Sequence, residues 1–163
     1  MKSTAFYIVL MVFSITVAFR PVQDPEERKT DYIDSEGRSG VLSGKFDDQR
    51  VLMLSFTSET ETGIYKEEFT YNENQIAAVS VKETMFNRPK FWNEALARAN
   101  NDNEWFDPDK SKRTVRIYYY TAGTFDYWED ESGNRNYPVN KKLRKEGERF
   151  MKKANDYLAA LKQ

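Results

Sequence analysis

The side chains that could do chemistry in this sequence are mostly carboxylates, because two of the usual catalytic residue types are missing. The 163 residues include 26 Asp and Glu but no His and no Cys. The lack of histidine excludes a Ser-His-Asp mechanism and the commonest zinc and copper ligands. The lack of cysteine excludes thiol catalysis, iron–sulfur sites and a lipid-modified bacterial N-terminus. What remains is acid–base chemistry by paired carboxylates, as in glycosidases.

Candidate carboxylates for such an enzyme lie in strand-like parts of the chain: Glu67, Glu68, Asp126 and Glu129. A glycosidase needs two carboxyl groups at a defined spacing across a cleft, and a single-layer sheet of this size offers little cleft. We therefore predict a non-catalytic protein with no catalytic residues. A small carboxylate-dependent hydrolase of the glycosidase type is the alternative.

Two acidic loops could instead bind calcium through oxygen ligands. Their oxygen-bearing residues are Asp102, Glu104, Asp107 and Asp109 in the first loop, and Asp130, Ser132 and Asn134 in the second. Neither loop has the EF-hand spacing, in which a glycine follows the third ligand and a glutamate closes the ring. The chain also has no phosphate loop and no dinucleotide fingerprint. The sequence predicts no metal and no cofactor, and leaves calcium binding by these loops open.

A tyrosine-rich stretch is the strongest candidate for recognition. Residues 114–128 contain four tyrosines, a phenylalanine and a tryptophan. A β-hairpin with its tip at Ala122 and Gly123 explains the spacing. Such a hairpin would pair Tyr120 with Phe125, Tyr118 with Tyr127, Arg116 with Glu129, Ile117 with Trp128, and Tyr119 with Asp126.

The two faces of this hairpin are predicted to differ in role. One face continues on a second hairpin around residues 72–75, and its rings should be buried, because exposing them would leave too large an apolar patch. This predicted core face contains Phe69, Tyr71, Ile76, Tyr118, Tyr120, Phe125 and Tyr127. The opposite face mixes rings with charges, as recognition surfaces do, and also contains Lys66, Glu68, Thr70, Val79 and Val81. We predict a binding site there formed by Tyr119, Trp128, Ile117 and Asp126, although Ile117 and Trp128 could instead pack beneath other elements.

The remaining elements must position these faces. Residues 39–46 and 50–60 are strand-like, and residues 91–99 have helical composition after a possible cap at Asn87. From a cap at Asn140, a long amphipathic helix follows, with the apolar stripe Leu143, Gly147, Phe150, Met151, Ala154, Leu158 and Leu161. We predict an α+β fold, an antiparallel β-meander of about five to six strands with this helix on its tyrosine face.

The chain begins with a segment typical of a secretory signal peptide. Lys2 precedes an apolar run over residues 5–17, and Thr16 and Ala18 suit cleavage after residue 18. A retained membrane anchor is the alternative, but the run is shorter than the roughly 20 residues of a spanning helix. We predict a signal peptide over residues 1–18, a flexible lead-in over 19–38, and a single domain over 39–163.

Charge and cysteine usage indicate the compartment and the class of partner. Loss of Lys2 would leave 24 basic and 26 acidic residues, a net charge of −2. Nucleic acids and anionic membranes bind basic patches, so we predict neither nucleic acid binding nor membrane insertion after cleavage. An exported domain without cysteine has no disulfides and relies on packing alone. We therefore predict a bacterial periplasm or cell surface as its location.

The two hairpins share a pattern that carries a family resemblance. In "EFTYNENQIAAV" and "IYYYTAGTFDYW" an aromatic residue, any residue and another aromatic residue precede a four-residue turn and a large apolar residue. Over about residues 50–163 the chain resembles uncharacterised small secreted bacterial proteins that repeat an aromatic hairpin of the form Tyr-Tyr-Phe, turn, Gly-Lys-Leu. Its turns, NENQ and TAGT, depart from that form. The resemblance implies a helix-backed sheet and no particular activity.

These observations together predict an exported, non-catalytic binding module of the bacterial cell envelope. Its expected partner is an envelope protein, a peptide or a glycan. The sequence does not specify which of the three it is, nor the oligomeric state.

Overall fold

The computed structural model describes residues 24–138 and 141–162. Over these residues the chain forms eight strands, β1 (Glu26–Ile33), β2 (Ser39–Asp47), β3 (Arg50–Thr60), β4 (Gly63–Asn72), β5 (Gln75–Met85), β6 (Lys112–Thr121), β7 (Thr124–Asp130) and β8 (Arg135–Asn136). Two α-helices, α1 (Glu94–Ala99) and α2 (Lys141–Leu161), accompany them, with a short 3-10 helix at Pro108–Lys110. The predicted signal peptide, the predicted cap Asn140 and the side chain of Leu143 lie outside what is described.

The predicted α+β meander with a C-terminal helix is confirmed, but the described chain has eight strands rather than five to six. Each strand pairs antiparallel with the strands next to it in sequence. β1 lies within the segment predicted to be a flexible lead-in, and that prediction is wrong there. Its sequence, EERKTDYI, lacks an apolar alternation. Backbone pairing with β2 along its whole length and packing of the Tyr32 ring on Tyr157, at 5.3 Å, hold it in place.

α2 lies across the tyrosine face of the sheet, as predicted. The ring centroid of Phe150 is 4.7 Å from that of Tyr118, and the Tyr157 ring is 5.5 Å from Phe69. The hydroxyl of Tyr120 donates a hydrogen bond to a backbone carbonyl of α2 at 2.7 Å. Burial of the predicted core face is confirmed for Phe69, Tyr118, Tyr120 and Phe125, and Tyr71 and Ile76 pack against the same core, half-buried.

A β-bulge in the tyrosine-rich hairpin changes which residues share a face. The β6–β7 register shifts after Tyr119 and leaves Asp126 unpaired. Tyr119 therefore lies opposite Tyr127, and Tyr118 lies opposite Trp128. Because directly paired residues share a face, Trp128 is on the α2 face and Tyr127 on the open face, the reverse of the prediction. The structure pairs Tyr120 with Phe125 as predicted, but Arg116 with Asp130 and Ile117 with Glu129.

The hairpin of β4 and β5 has a bulge at the same place. Its register shift leaves Ala77 unpaired and sets Val79 opposite Phe69 and Val81 opposite Glu67. Both valines are buried in the core under α2, so their predicted place on the open face is wrong. The remaining residues predicted for that face do lie on it: Lys66, Glu68 and Thr70.

A third hairpin, β2–β3, repeats the same backbone plan. Its two-residue turn, residues 48–49, is followed three residues later by the unpaired Leu52. Ala77 and Asp126 occupy the equivalent positions in the other two hairpins. The sequence comparison finds only two copies, because Gly44 stands where the other hairpins have an aromatic residue.

α2 spans the width of the sheet, since the helix contacts strands near both sheet edges. Gly147 of α2 lies against Phe125 of β7, and a Cβ at Gly147 would overlap that ring. Near the other edge, a Cβ at Gly44 of β2 would lie 2.7 Å from a methyl group of Leu161. Two glycines thus allow the helix and the sheet to approach closely at opposite ends of α2.

The segment between β5 and β6 is the predicted excursion, with a shorter helix than predicted. α1 is capped by Asn93, whose side chain accepts a hydrogen bond from the backbone N–H of Leu96. Asn87, the predicted cap, instead donates to the carbonyl of Trp105 at 2.9 Å and joins the two ends of the excursion. In the part of the chain that the structure describes, no helix is both long and apolar enough to cross a membrane.

Candidate functional site

The sheet face opposite α2 carries three tyrosines in contact, which we call the tyrosine row: Tyr119 of β6, Tyr127 of β7 and Tyr137 just after β8. The rings of Tyr119 and Tyr127 stack with centroids 4.8 Å apart and planes inclined by 24°. The rings of Tyr127 and Tyr137 are 5.4 Å apart. Tyr137 is 52% exposed, so the row forms a solvent-accessible aromatic surface near one edge of the sheet.

An ion pair fixes the position of the row. One carboxylate oxygen of Glu129 accepts a hydrogen bond from Arg135 at 2.9 Å, and the other accepts from the Tyr119 hydroxyl at 3.2 Å. The Arg135 guanidinium lies 5.1 Å from the ring centroid of Tyr127, within cation–π range. Burial and the neighbouring Glu129 raise the pKa of Tyr119, and the hydrogen bond to Glu129 raises the pKa of Arg135. Both donors therefore stay protonated at neutral pH.

The structure brings two of the four predicted binding residues to this surface. Tyr119 and Ile117 lie two residues apart on the open face of β6. Trp128 packs against the core on the other face, 6.4 Å from the ring of Tyr118. Asp126 is the exposed bulge residue at the hairpin tip. Trp128 is therefore a core residue and not part of the candidate surface.

Sequence reasoning missed four members of the site: Tyr127, Glu129, Arg135 and Tyr137. Strict alternation along β7 predicts the wrong face for Tyr127, because alternation does not allow for a bulge. Arg135 and Tyr137 reach the row through β8, a two-residue strand too short to show any periodicity.

A second group of polar side chains, the buried ionic cluster, lies beneath α2. Its members are Asp34, Glu36, Arg38, Tyr65, Glu67, Lys153 and Tyr157. The Lys153 ammonium lies 2.7 Å from Glu67, 3.3 Å from Glu36 and 3.4 Å from Asp34. Glu67 is fully buried and also accepts hydrogen bonds from the hydroxyls of Tyr157, at 2.9 Å, and Tyr65.

Charge pairing outweighs burial within this cluster. Burial acts to raise the pKa of Asp34, but hydrogen bonds from Arg38 and the charge of Lys153 lower it below its ordinary value. Burial, together with the adjacent Glu67, raises the pKa of Tyr65 and Tyr157 well above that of a free phenol. The two phenols remain donors and the carboxylates remain paired with cations. This arrangement fixes α2 on the sheet rather than presenting a free acid and base.

The carboxylates proposed for a hydrolase are not gathered at one place. Glu67 is in the buried cluster under α2, whereas Glu68 and Glu129 lie on the open face. The cross-strand pairings place Glu68 and Glu129 in one row but three strands apart, which is about 14 Å. Paired glycosidase carboxyls lie roughly 5–10 Å apart. Glu68 also forms ion pairs with Lys66 and Lys82, and these lower its pKa despite burial.

The aspartates of both acidic loops accept hydrogen bonds from nearby backbone N–H groups. Asp130 accepts hydrogen bonds from the backbone N–H groups of Ser132 and Asn134 at 2.9 and 3.0 Å. Asp102 accepts from the backbone N–H of Glu104 at 3.0 Å. The hydrogen bond from Glu104 lowers the pKa of Asp102, and hydrogen bonds from the side chain and backbone of Asn134 lower the pKa of Asp130. Among the described residues, no group of three or more acidic side chains is placed to hold a metal ion.

Known proteins provide no template for this chain. No family model, curated protein or solved structure matches it. The resemblance to secreted aromatic-hairpin proteins stays a prediction. Any function must therefore be inferred from the tyrosine row, the buried ionic cluster and the cavities of the described chain.

Proposed function

We propose that this protein is an exported, non-catalytic binding module of the bacterial cell envelope that recognises a protein partner through the tyrosine row. The observation that carries the proposal is the contact of three tyrosines on an open sheet face, held by the Glu129–Arg135 ion pair. Tyrosine and arginine are enriched at binding hot spots, because they present large, rigid contact areas that also form hydrogen bonds.

The geometry of the rings favours a protein over a glycan. The Tyr127 ring already contacts two tyrosine rings and a guanidinium, so little of its face remains for stacking on a sugar. The Tyr119 hydroxyl is likewise occupied by Glu129. What remains accessible are ring edges, the exposed Tyr137 and the neighbouring Ile117, which suit the apolar side chains of a partner protein.

Export is the second part of the proposal, and it rests on residues 1–18. Full-length chain produced in a bacterium should be recovered from the periplasm, and mass spectrometry should show an N-terminus at residue 19. Recovery at full mass in the membrane fraction would favour a retained anchor. Recovery of the intact chain from the cytoplasm would contradict export.

The binding surface is tested by capture from envelope extract with a C-terminally tagged chain. The double variant Tyr119→Ser, Tyr137→Ser should recover at least about tenfold less of the main partner, the loss expected when two interface rings are removed. Val41→Ser is the matched control, because Val41 is 47% exposed on the open face of β2 but lies far from the row. Equal recovery with the double variant, or equal loss with the control, would contradict the assignment. Capture that is abolished by soluble glycan would instead indicate a glycan ligand.

A further inference from the structure

The sheet has one long outer edge, which is formed by β1. In the part of the chain that the structure describes, β1 pairs with β2 alone and ends the strand order. The backbone N–H of Asp34 donates to the carbonyl of Arg38 at 2.9 Å, which extends the β1–β2 ladder by one pair. Hydrogen-bonded and non-hydrogen-bonded pairs alternate in an antiparallel ladder, so the even-numbered residues of β1 bond to β2. The backbone groups of the odd-numbered residues point outward: Glu27, Lys29, Asp31 and Ile33.

The side chains of these odd-numbered residues lie on the open face of the sheet and are exposed. Along the strand they alternate in charge, since Lys29 stands between Glu27 and Asp31, and the apolar Ile33 follows with 67% exposure. Charged side chains usually discourage pairing at a sheet edge, because like charges directly opposite each other are destabilising. An alternating set differs, because an antiparallel copy of the same strand can oppose each charge with its opposite.

The register of such a pair is restricted by symmetry. A two-fold axis perpendicular to the sheet would continue the sheet into a second copy through antiparallel β1 strands. Because this axis leaves each face of the sheet in place, residues paired across it must share a face. Two registers then overlap nearly all of the eight residues of β1, one centred on Lys29 and one centred on Thr30.

Charge distinguishes the two registers. The register centred on Lys29 places that lysine opposite itself and Glu27 opposite Asp31, so it repels. The register centred on Thr30 places Lys29 opposite Asp31 twice by symmetry, and Glu27 beside the exposed Ile33. Cross-strand pairs of opposite charge favour pairing of the strands. The edge is therefore complementary to itself in the second register.

We propose that β1 pairs with β1 of a second copy in the register centred on Thr30, so that two chains form a two-fold dimer with one continuous sheet. On the α2 face, this register places Arg28 opposite Tyr32 of the other copy, where a guanidinium can contact the ring. The interface is confined to one strand and is small, so we expect a dissociation constant of roughly 1–100 µM. The tyrosine row lies near the opposite edge of the sheet, so failure of either proposal leaves the other intact.

The test is analytical ultracentrifugation of the purified protein across the micromolar range. Wild type should pass from monomer to dimer. Lys29→Asp and Asp31→Lys should each dimerise at least about tenfold more weakly, because each brings like charges together twice. An equimolar mixture of the two variants should form a heterodimer about as tightly as wild type, since both charge pairs are then opposite again. Lys112→Asp is the matched control, because it reverses an exposed charge on β6 and should dimerise as wild type does.

Amide hydrogen exchange locates the interface within the strand. In the monomer, the N–H groups of Thr30 and Tyr32 should be protected by β2, whereas those of Lys29 and Asp31 should exchange rapidly. Dimerisation should protect the second pair. Melting of the dilute variants controls for folding, and exposed charge reversals should change it little.

Several results would overturn the proposal. One is a wild-type chain that stays monomeric up to about 1 mM, far above the expected dissociation constant. Another is dimerisation that neither single variant weakens. Failure of the mixed variants to associate would contradict the register centred on Thr30. Dimerisation without protection of the Lys29 and Asp31 amides would place the interface elsewhere on the molecule.

Discussion

At the scale of single residues, the most consequential side chain is Lys153. It is the cation in the middle of three carboxylates, and it is only 5% exposed. Buried charges are tolerated when each is paired and hydrogen-bonded, whereas removal of one partner leaves the others without compensation. Because α2 carries many charged residues, the sequence does not distinguish Lys153 from its exposed neighbours. Only the tertiary structure shows that it points inward.

We expect Lys153→Met to lower the free energy of unfolding by about 3–5 kcal/mol at neutral pH, because the buried Glu67 loses the ammonium group that lies 2.7 Å from it, while Asp34 keeps only Arg38. Lys152→Met is the control, since Lys152 is 77% exposed and pairs with Asp156 in the same helix. Denaturant unfolding followed by circular dichroism measures both variants. Equal stability of the two would show that the cluster does not anchor α2.

The same cluster predicts a loss of stability in acid. The pKa of Asp34 is lowered in the folded protein, so its contribution is complete above the unfolded value of about 3.9 and is lost as pH falls through the folded value. The melting temperature of wild type should decline below about pH 4. Asp34→Asn should be less stable at neutral pH and should flatten that decline. Asp31→Asn, at an exposed position, is the control and should show the same fall of melting temperature in acid as wild type. If the melting temperature of Asp34→Asn fell as steeply in acid as that of wild type, Asp34 would not be the cause of the decline.

At the scale of elements, three hairpins share one plan of a two-residue turn and a bulge in the returning strand. In the β4–β5 and β6–β7 hairpins both turn residues have positive φ: Glu73 and Asn74 in one, Ala122 and Gly123 in the other. This is the conformation of type I′ turns, whose twist matches that of paired strands. Glutamate and alanine are poor residues for it, so sheet packing imposes these turns.

Replacement of Ala122 by Asn should therefore stabilise the protein. Ala122 has φ of +49°, and an Asn-Gly pair suits this turn far better than Ala-Gly. We expect a gain of about 0.5–1 kcal/mol, seen as a rise of a few degrees in melting temperature. Gly123→Ala should have the opposite effect, because Gly123 also has positive φ, +73°. An unchanged or lower melting temperature for Ala122→Asn would contradict the prediction that the turn conformation limits stability.

At the scale of the whole molecule, the fold is an eight-stranded sheet with α2 packed across one face. Gly147 near the start of the helix meets Phe125, and Leu161 at its end meets Gly44. The apolar stripe alone requires only that some surface cover the helix. Contact at both ends sets the position of α2 on the sheet, and this position places Lys153 over Glu67.

Gly147→Ala tests this close packing. At an unconstrained helix position the change would stabilise by roughly 1 kcal/mol, but here the new methyl group would overlap the Phe125 ring. We expect a net loss of about 1–3 kcal/mol in unfolding free energy, measured by denaturant titration. Adding Phe125→Leu should recover part of the loss in the double variant, whereas Lys145→Ala on the exposed side of α2 should change little. Stabilisation by Gly147→Ala would show that the contact is loose.

Much of the fold could be predicted from the sequence, because local patterns specify its elements. The turn at Ala122 and Gly123, the second hairpin and the C-terminal helix are local signals, and the structure confirms them. The predicted stripe of α2 is confirmed in part, since Phe150, Ala154 and Leu161 are buried but Met151 is exposed. β1 and β8 could not be predicted in this way, since pairing with a neighbouring strand rather than apolar alternation creates them.

The sequence by itself determined that a tyrosine-rich hairpin packs under a C-terminal helix, since burying that many rings needs a large apolar partner. Only the tertiary structure decided which rings those are. One unpaired residue, Asp126, moves Trp128 into the core and Tyr127 out to the open face, because side chains alternate along a strand and a single extra residue reverses their order. The tyrosine row, and with it the proposed binding surface, follows from that bulge.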